Sequence, residues 1–352
     1  MNVAIVIPTI KAGGAEKQAV FLAKCLSANH NVYFFVFMGH LPKEQKHIQT
    51  LEECGVKIIS LNGCIIKKTC YLARELKAHH IEAAFNFLTL CDGAGCFAEK
   101  RAGVRLIYNG IRSSRLPRWK MAIERFANNH WVTGTIFNSF CGADYFKNKG
   151  FDNHKFIIIQ NCFPKIDTFF KRNENIIKTI ITVGRFDPAK DYETSIKAIA
   201  DVHKRMQNIK YRIVGHGGLE KQIRYWIKKY KISDVTEVLI NPSNIPALLK
   251  EADVFLITSL YEGTSNAIME ALNASLPVVC TNVGDNAYLI KHNSNGYIHN
   301  VGDFHQISES LLRLLGDYEM RLSFGKNANQ NLRDSFSLKH FNQQYSSLLE
   351  KK

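Results

Sequence analysis

The 352-residue sequence predicts an α/β protein with two doubly wound parallel sheets and a helical C-terminal tail. Short apolar runs alternate with longer amphipathic segments through both halves of the chain, as in "VAIVIP" followed by "GAEKQAVFLAKCLSANH". Uninterrupted apolar strands that alternate with helices are typical of parallel sheets covered by helices on both faces. The length is sufficient for two such domains, each with its own core.

Thirteen short runs carry the strand pattern. They are "VAIVIP", "NVYFFVFM", "VKIISL", "AAFNFL", "RLIYNGI", "GTIFNS" and "KFIIIQN" in the first half, then "TIITVGRF", "YRIVGHG", "TEVLI", "DVFLITS", "PVVCTNV" and "GYIHN". Residues 162–178 ("CFPKIDTFFKRNENIIK") interrupt the alternation with proline, asparagine and charged residues. We therefore expect domains over residues 1–165 and 175–335, and a C-terminal helix over residues 336–352 that packs back on the first domain.

The chain is strongly basic, with 46 Lys and Arg against 31 Asp and Glu, a net charge of +15. Residues 100–125 contain eight basic residues and a single acid, with Arg112, Arg115, Arg118 and Lys120 at the centre. Such a patch attracts anionic lipid, phosphorylated substrate or nucleic acid, and it also occurs on ordinary solvated surfaces. No helix-turn-helix or aromatic RNA motif accompanies it, so we expect an anionic membrane surface and no nucleic acid as partner.

Three features bear on the cellular compartment. Met1 leads directly into a strand pattern, without the basic region and cleavage site of a signal peptide. Apolar runs such as "VYFFVFM" are far shorter than the ~18 residues of a membrane span. The nine cysteines are scattered without a C-x-x-C pair, which fits a reducing compartment better than a disulfide framework or a zinc site. We expect a cytoplasmic protein, peripheral at the inner face of the membrane.

Ligands of doubly wound sheets bind beyond the carboxyl ends of the strands, so the loops that follow strands are the candidate sites. After the first strand, "IPTIKAGGAEKQAV" places Gly13 and Gly14 just before a helix that starts near Ala15. Glycines there allow backbone amides to approach a phosphate, although a tight βα turn uses glycines as readily. The pattern is not G-x-G-x-x-G, which disfavours a dinucleotide.

Two loops of the second half carry related features. In "TVGRFDPAKDYETSIKA", Arg185 follows a strand directly and Lys190 precedes the next helix. The guanidinium fork and the ammonium point charge could clamp a diphosphate, or both could be solvated loop cations. In "IVGHGGLEKQI", Gly215 and Gly217 precede a helix in the same way, with His216 as a residue tolerated in the turn.

The stretch "SLYEGTSNAIMEAL" holds two carboxylates, Glu262 and Glu270, on either side of a small polar turn. We expect the strand to end before Glu262, and Thr264 or Ser265 to cap the following helix. Carboxylates accept hydrogen bonds from sugar hydroxyls, whereas the helix start and the loop cations suit phosphate. Acids for sugar hydroxyls and positive groups for phosphate together indicate a nucleotide-sugar as ligand. The alternative for Glu270 is an ordinary surface glutamate without a ligand.

Taken together and in this order, the motifs resemble glycosyltransferases of family 4, the group 1 glycosyltransferases. The segments that match are Gly-Gly-Ala-Glu at 13–16, "VGRFDPAKD", "VGHGGLEKQI", the Glu-x7-Glu of 262–270 and "PVVCTNVGDNAYLI". The resemblance covers both halves of the chain and implies the GT-B fold, in which two Rossmann-like domains face each other.

The resemblance also implies a role for individual positions. Arg185 and Lys190 match the residues that hold and neutralise the donor diphosphate, and Glu262 matches the acid that faces the transferred sugar. These three are the implied catalytic residues. The implied donor-binding positions are Gly13 and Gly14 in the amino domain, and Gly215, Gly217, Gly263, the amides of Thr264, Ser265 and Asn266, and Glu270 for the ribose.

The family retains anomeric configuration and requires no metal or other cofactor, and no Asp-x-Asp occurs in this chain. A histidine that many members carry near the reacting sugar has no counterpart in "LIYNGIRSSRLPRW", where Arg112 takes that region. The donor would be a nucleotide-sugar, with UDP favoured over GDP.

The resulting hypothesis is a retaining glycosyltransferase that moves a sugar to a hydroxyl of a glycan or lipid-linked saccharide in cell-surface polysaccharide or lipopolysaccharide synthesis. The amino domain would bind the acceptor and the carboxyl domain the donor. A nucleotide-sugar epimerase of the same fold is an alternative enzyme. A basic nucleic-acid or membrane-binding module is the alternative outside enzymes, and it leaves Glu262 and Glu270 unexplained.

Overall fold

The chain forms two compact α/β units. The computed structural model describes residues 1–11, 13–112 and 116–350. Unit 1 comprises Met1–Pro164 and Leu338–Lys352, and unit 2 comprises Lys165–Ser337. No helix in these described stretches combines the length and apolar character needed to cross a membrane.

Unit 1 contains a parallel sheet with the strand order β3-β2-β1-β4-β5-β6-β7. Its strands are β1 (Asn2–Ile7), β2 (Asn31–Val36), β3 (Lys57–Ser60), β4 (Ala83–Asn86), β5 (Leu106–Ile111), β6 (Gly134–Phe137) and β7 (Phe156–Ile158). Its first helices are α1 (Gly14–Leu26), α2 (Gln45–Glu53), α3 (Ile65–Ala78), α4 (Cys96–Ala102), α5 (Arg118–His130) and α6 (Phe140–Lys147), with a π-helical turn at Cys91–Gly95. The strand order reverses between β1 and β4, which is a topological switch point.

Unit 2 repeats this architecture with the strand order β10-β9-β8-β11-β12-β13. Its strands are β8 (Lys178–Val183), β9 (Ile209–Gly215), β10 (Thr236–Ile240), β11 (Val254–Ile257), β12 (Val278–Thr281) and β13 (Gly296–His299). Its helices are α7 (Tyr192–Arg205), α8 (Glu220–Lys229), α9 (Ile245–Glu251), α10 (Asn266–Asn273), α11 (Asn286–Leu289), α12 (Phe304–Gly316) and α13 (Tyr318–Phe336). Here the switch point lies between β8 and β11.

The apolar runs of the sequence form the strands because both sheet faces are covered. Every residue of Val3–Ile7 in β1 is buried, and so is every residue of β8 and of β11. Each of the thirteen runs contains a strand, and all neighbouring pairs are parallel. The predicted α/β class with two doubly wound sheets and a helical C-terminal region is confirmed.

The final helix, α14 (Leu338–Leu349), belongs to unit 1. The Tyr108 hydroxyl on β5 donates to the carbonyl oxygen of Leu348 over 2.8 Å. The rings of Tyr345 and Phe85 meet edge to face with their centroids 5.4 Å apart. The last helix therefore completes the core of unit 1 although it follows the whole of unit 2 in sequence.

The segment before β8 was expected to connect the domains, and it is fixed to the surface of unit 2. The Arg172 guanidinium donates to the carbonyl oxygens of Ala252 and Ala274, which end α9 and α10, and to those of Leu249 and Ser275. Burial lowers the pKa of Arg172 to about 10, which leaves it charged at neutral pH. One guanidinium thus satisfies carbonyl groups that two helix ends leave unpaired.

We expect Arg172→Ala to lower the free energy of unfolding by about 3 kcal/mol or more, because several partly buried carbonyls lose their donor. Lys171→Ala, a change at the exposed neighbouring cation, should stay within about 0.5 kcal/mol of the parent. Chemical denaturation of both variants measures the difference, and equal losses would show that Arg172 has no special role.

Candidate active site

The candidate site of unit 2 lies where the loops after β8 and β11 meet, at the switch point of the sheet. The amide of Leu260 donates to the carbonyl oxygen of Ala189 over 2.8 Å. The Thr258 hydroxyl donates to the carbonyl oxygen of Asp191 over 2.8 Å. These bonds hold the two loops side by side, in the place where doubly wound sheets bind ligands.

Two aspartates shape the loop after β8. Asp187 Oδ1 accepts from the amide of Ala189 over 3.0 Å and caps a 3₁₀ turn, Pro188–Lys190. Asp191 has a left-handed φ of +44° and caps α7, where Asp191 Oδ2 accepts from the Thr194 hydroxyl over 2.6 Å. Lys190 is therefore held between two capped turns.

Lys190 and Glu262 form an ion pair across the two loops. Lys190 Nζ lies 2.5 Å from Glu262 Oε1, which also accepts from the Ser259 hydroxyl over 2.7 Å. The side chains of Lys190 and Glu262 are only 16% and 12% exposed. Lys190 was expected to bind the donor diphosphate and Glu262 the transferred sugar. The structure brings these two side chains into direct contact.

Arg185 has a different environment from Lys190. Its side chain is 78% exposed, and Arg185 Nε lies 3.4 Å from Asp187 Oδ2. An exposed arginine beside a single carboxylate retains free hydrogen-bonding capacity toward an anion. Arg185 therefore lies on the same loop as Lys190 but outside the buried ion pair.

Gly215 and Gly217 have a packing role in unit 2. A Cβ on Gly215, which has a φ of +156°, would lie 1.9 Å from the carbonyl oxygen of Gly184. A Cβ on Gly217 would lie 2.6 Å from that of Phe186. The loop after β9 can press against the loop after β8 only because both residues lack a side chain. This requirement exists whether or not a ligand binds there.

The start of α10 differs in detail from the prediction. The helix begins at Asn266 with Ser265 at the N-cap, but the Ser265 side chain accepts no capping hydrogen bond. Ser265 therefore occupies the predicted N-cap position, but the predicted capping bond from its side chain is wrong; the neighbouring Thr264 hydroxyl donates to Asp285 Oδ2 over 3.4 Å. Glu270 lies partly buried in the second turn of α10.

Residues that the sequence analysis did not single out support this loop from behind. The amide of Asp285 donates to the carbonyl oxygen of Gly263 over 3.1 Å. Gly284 has a φ of +55°, and a Cβ there would lie 2.3 Å from the carbonyl oxygen of Glu262. Because β11 and β12 are parallel neighbours, the loops that follow them lie at the same edge of the sheet. Gly284 in "TNVGDN", after β12, was therefore a sequence signal for the close approach of these two loops.

In unit 1, Gly13 is the N-cap of α1, which begins one residue earlier than predicted. A Cβ on Gly13 would lie 2.2 Å from Glu16 Oε2, and Glu16 Oε1 accepts from the Thr9 hydroxyl over 2.7 Å. Beyond its chain neighbours and its own helix backbone, no atom of the described residues lies within 4 Å of a Cβ on Gly14. An open depression of about 570 Å³ beside this helix start is lined by residues that include Gly13, Gly14, Lys17, Lys46, His47 and Phe21.

Three buried acids in unit 1 were missed. Asp92 Oδ1 accepts from the amide of Gly110 over 3.1 Å, and Glu99 Oε2 accepts from Asn86 Nδ2 over 2.9 Å. Burial raises the pKa of Asp92 to about 6 and that of Glu99 to about 8. Burial, reinforced by neighbouring Asp92, raises the pKa of Glu124 well above its usual range. The one sequence signal for these buried acids was the position of Glu124 as the single acid of the basic segment 100–125.

The predicted basic patch is only partly a surface feature. Arg112 lies over the Phe87 ring at 4.7 Å and donates to the Tyr345 hydroxyl over 2.9 Å, so it is an internal cation of unit 1. Lys120 is partly buried and lines a small cavity of about 110 Å³ that Asp92 and Glu124 also line. Arg112 thus contacts groups within unit 1, whereas Lys120 Nζ lies 5.4 Å from the centre of the exposed Trp119 ring. That these cations meet a membrane stays a prediction. Arg118 is exposed. Arg115 lies outside the described residues.

One known protein is similar to this chain along its whole length. A GalNAc-α-(1→4)-GalNAc-α-(1→3)-diNAcBac-PP-undecaprenol α-1,4-N-acetyl-D-galactosaminyltransferase of Campylobacter jejuni is 26% identical over 99% of this chain and 98% of its own. The model of the family "glycosyl transferases group 1" matches residues 166–331, which include all the unit 2 loops described above. Residues 166–331 of the chain therefore match group 1 glycosyltransferases, and the resemblance that the motifs indicated is confirmed there.

Two further comparisons concern a second relative and a solved structure. A UDP-Gal:α-D-GlcNAc-diphosphoundecaprenol α-1,3-galactosyltransferase of Escherichia coli is 28% identical over 44% of this chain and 41% of its own. The crystal structure of Anabaena HepE in complex with UDP superposes with a TM-score of 0.79 over 99% of both chains, at 17% identity. At that identity the likeness concerns the fold.

We expect Gly284→Ala to lower the free energy of unfolding by about 2 kcal/mol or more, because a left-handed backbone and a contact with the Glu262 carbonyl are both unfavourable for alanine. Gly316→Ala is the matched control, since no described atom outside its own helix backbone and chain neighbours lies within 4 Å of a Cβ there. Thermal unfolding of the two variants measures the effect. If Gly284→Ala melts at the parental temperature, the loop that carries Glu262 can move aside without cost and the prediction is wrong.

We expect Glu99→Gln to stabilise the protein increasingly as the pH rises from 5 to 8. The unfolded chain loses the Glu99 proton near pH 4.5, whereas the folded chain keeps it until about pH 8, so ionisation favours the unfolded state across that range. Glutamine does not ionise, so the variant lacks this pH-dependent destabilisation, and its side-chain oxygen can still accept from Asn86 Nδ2. Melting temperatures of parent and variant at pH 5 and 8 check this, and a constant difference would contradict it.

Proposed function

We propose that this group 1 glycosyltransferase moves a sugar from a UDP-sugar to a hydroxyl of a glycan or lipid-linked saccharide, with retention and without a bound metal. The observation that carries the proposal is the Lys190–Glu262 pair at the switch point of unit 2, held just before α10. A cation for phosphate and an acid for hydroxyl groups stand there within hydrogen-bonding distance of each other.

The donor diphosphate binds Lys190, Arg185 and the amides at the start of α10. Negative charge develops on this diphosphate as the bond to the sugar breaks, so fixed positive groups at that position lower the barrier. Lys190 supplies a partly buried charge and Arg185 an exposed fork. Arg185 has the freedom to turn from Asp187 to the phosphates, because its side chain is exposed.

Glu262 accepts hydrogen bonds from the transferred sugar, and Glu270 accepts them from the ribose. Donor binding then competes with Glu262 for Lys190, because the phosphate and the carboxylate both attract the same ammonium group. The Ser259 hydroxyl, which donates to Glu262 Oε1, holds the carboxylate in place when the ammonium moves. No side-chain base is assigned to the acceptor, and the departing phosphate takes its proton.

The choice of UDP is supported by proteins that resemble this one. UDP is bound in the HepE structure, and UDP-Gal appears in the name of the Escherichia coli relative. The names of the Campylobacter jejuni and Escherichia coli relatives specify acceptors linked to undecaprenol through a diphosphate. A lipid-linked saccharide acceptor at the inner face of an anionic membrane is therefore proposed for this chain, together with a cytoplasmic location.

We expect UDP to raise the melting temperature of the parent without added metal, while GDP, ADP and NAD do not. A ligand at 100 times its dissociation constant stabilises a protein by ~2.7 kcal/mol, which thermal shift detects. Arg185→Ala and Lys190→Ala should abolish the shift and lower the transfer rate roughly 10²–10³-fold. Lys171→Ala, which removes an exposed cation of the same unit, should keep the parental thermal shift with UDP and the parental transfer rate.

Each result distinguishes between models of the site. A shift with a different nucleoside diphosphate, lost in both variants, would keep the site and replace the base. Arg185→Ala with parental activity would remove that residue from the mechanism. The absence of any shift in the parent, with UDP-sugars also tested, would overturn the proposed donor site.

A further inference from the structure

Three large apolar side chains of α5 lie on an exposed face of the helix. Trp119, Ile123 and Phe126 follow one another at helical spacing and are 63%, 38% and 50% exposed. On neighbouring α4, Phe97 is 48% exposed. The rings of Phe97 and Phe126 both approach the Trp131 ring, with centroid distances of 6.0 and 4.9 Å. We name Phe97, Trp119, Ile123 and Phe126 the α4–α5 patch.

This pattern is the inverse of an ordinary surface helix. The buried residues of α5 are Glu124, Ala127 and Asn128, two of which are polar. An amphipathic helix normally buries its large apolar residues and exposes its charges. Because α5 exposes three large apolar residues and buries an acid, the α4–α5 patch is not explained by the core of unit 1. Contiguous apolar surfaces of this kind mark sites of interaction.

The exposed charges that α4 and α5 place around the patch have the same sign. Lys100 and Arg101 are exposed on α4, and Arg118 and Arg125 are exposed on α5. The acids in these two helices, whose residues are all described, are Glu99 and Glu124, and both are buried. Burial raises the pKa of both carboxyl groups, which disfavours their charged forms. The surface thus joins aromatic side chains to a rim of unopposed cations.

We propose that the α4–α5 patch docks the protein on an anionic lipid bilayer, with its apolar side chains in the headgroup region and its four rim cations against lipid phosphates. Trp and Phe on a helix with cationic flanks suit the membrane interface, where one side of the helix is apolar and the other is wet. The proposal rests on the proposed function only in that a lipid-linked acceptor would explain why docking is useful.

Charge decides between a membrane and a second copy of the chain as the occupant. A symmetric dimer through this patch would bring four cations of one copy against the same four of the other. An anionic bilayer pairs them with opposite charge, and each cation near such a surface adds to the attraction. The same groups therefore oppose self-association and favour lipid.

The experiment measures sedimentation of the full chain with vesicles of phosphatidylcholine alone and with phosphatidylglycerol added. We expect binding to the anionic vesicles and little to the neutral ones. Arg118→Gln with Arg125→Gln should weaken binding roughly thirtyfold, since two surface cations are lost. Trp119→Ala with Phe126→Ala should weaken it at least about tenfold, including at high salt where charge is screened. Tyr225→Ala, at an exposed aromatic residue of α8, should bind like the parent.

Several outcomes would overturn the proposal. These are parental binding by the Trp119/Phe126 double variant, equal binding to both kinds of vesicle, and no vesicle binding by the parent. A concentration-dependent dimer in sedimentation velocity that the double variant abolishes would assign the patch to self-association instead. UDP-induced thermal shifts on the same variants separate the two proposals. A parent that binds vesicles but not UDP would leave the docking surface in place and remove the donor site.

Discussion

The ion pair between Lys190 and Glu262 joins two loops whose residues are 72 positions apart in sequence. It can form because β8 and β11 are direct neighbours in the sheet of unit 2, so their carboxyl ends deliver both loops to one place. The hydrogen bonds from Thr258 to the β8 loop and from Leu260 to Ala189 keep that alignment. The chemistry assigned to this site depends on this pairing, because neither residue alone distinguishes a donor site from a solvated loop.

The glycines around this site illustrate how packing and function share residues. Gly215, Gly217 and Gly284 each lie so close to a neighbouring carbonyl that any side chain would collide with it. Their positions are fixed by the approach of one loop to the next, before any ligand is considered. That close approach also makes the loops compact enough to present backbone amides to a phosphate. A glycine-rich loop in a sequence is therefore evidence for close packing first.

Unit 1 departs from ordinary patterning where its acids are concerned. Asp92, Glu99 and Glu124 are buried near the carboxyl ends of β4 and β5, while large apolar residues of α5 face outward. Burying carboxyl groups costs stability, and exposing aromatic side chains forfeits hydrophobic burial. Such departures from local rules concentrate where a protein interacts with something else. In α5, a buried acid (Glu124) and exposed aromatic side chains occur on one helix, next to the cavity that Lys120 lines.

The sequence by itself determined the α/β class, the thirteen strands and the family. Apolar runs of strand length and helical periodicity are local, and the order of the motifs along the chain is specific. Only the tertiary structure decided which of the predicted site residues touch. It paired Lys190 with Glu262, left Arg185 exposed and turned Arg112 inward onto Phe87 and Tyr345. It also showed α5 to be inverted, since periodicity defines a stripe on a helix without saying which stripe faces the sheet. Strand order and helix rotation are set by long-range packing, which no local pattern encodes.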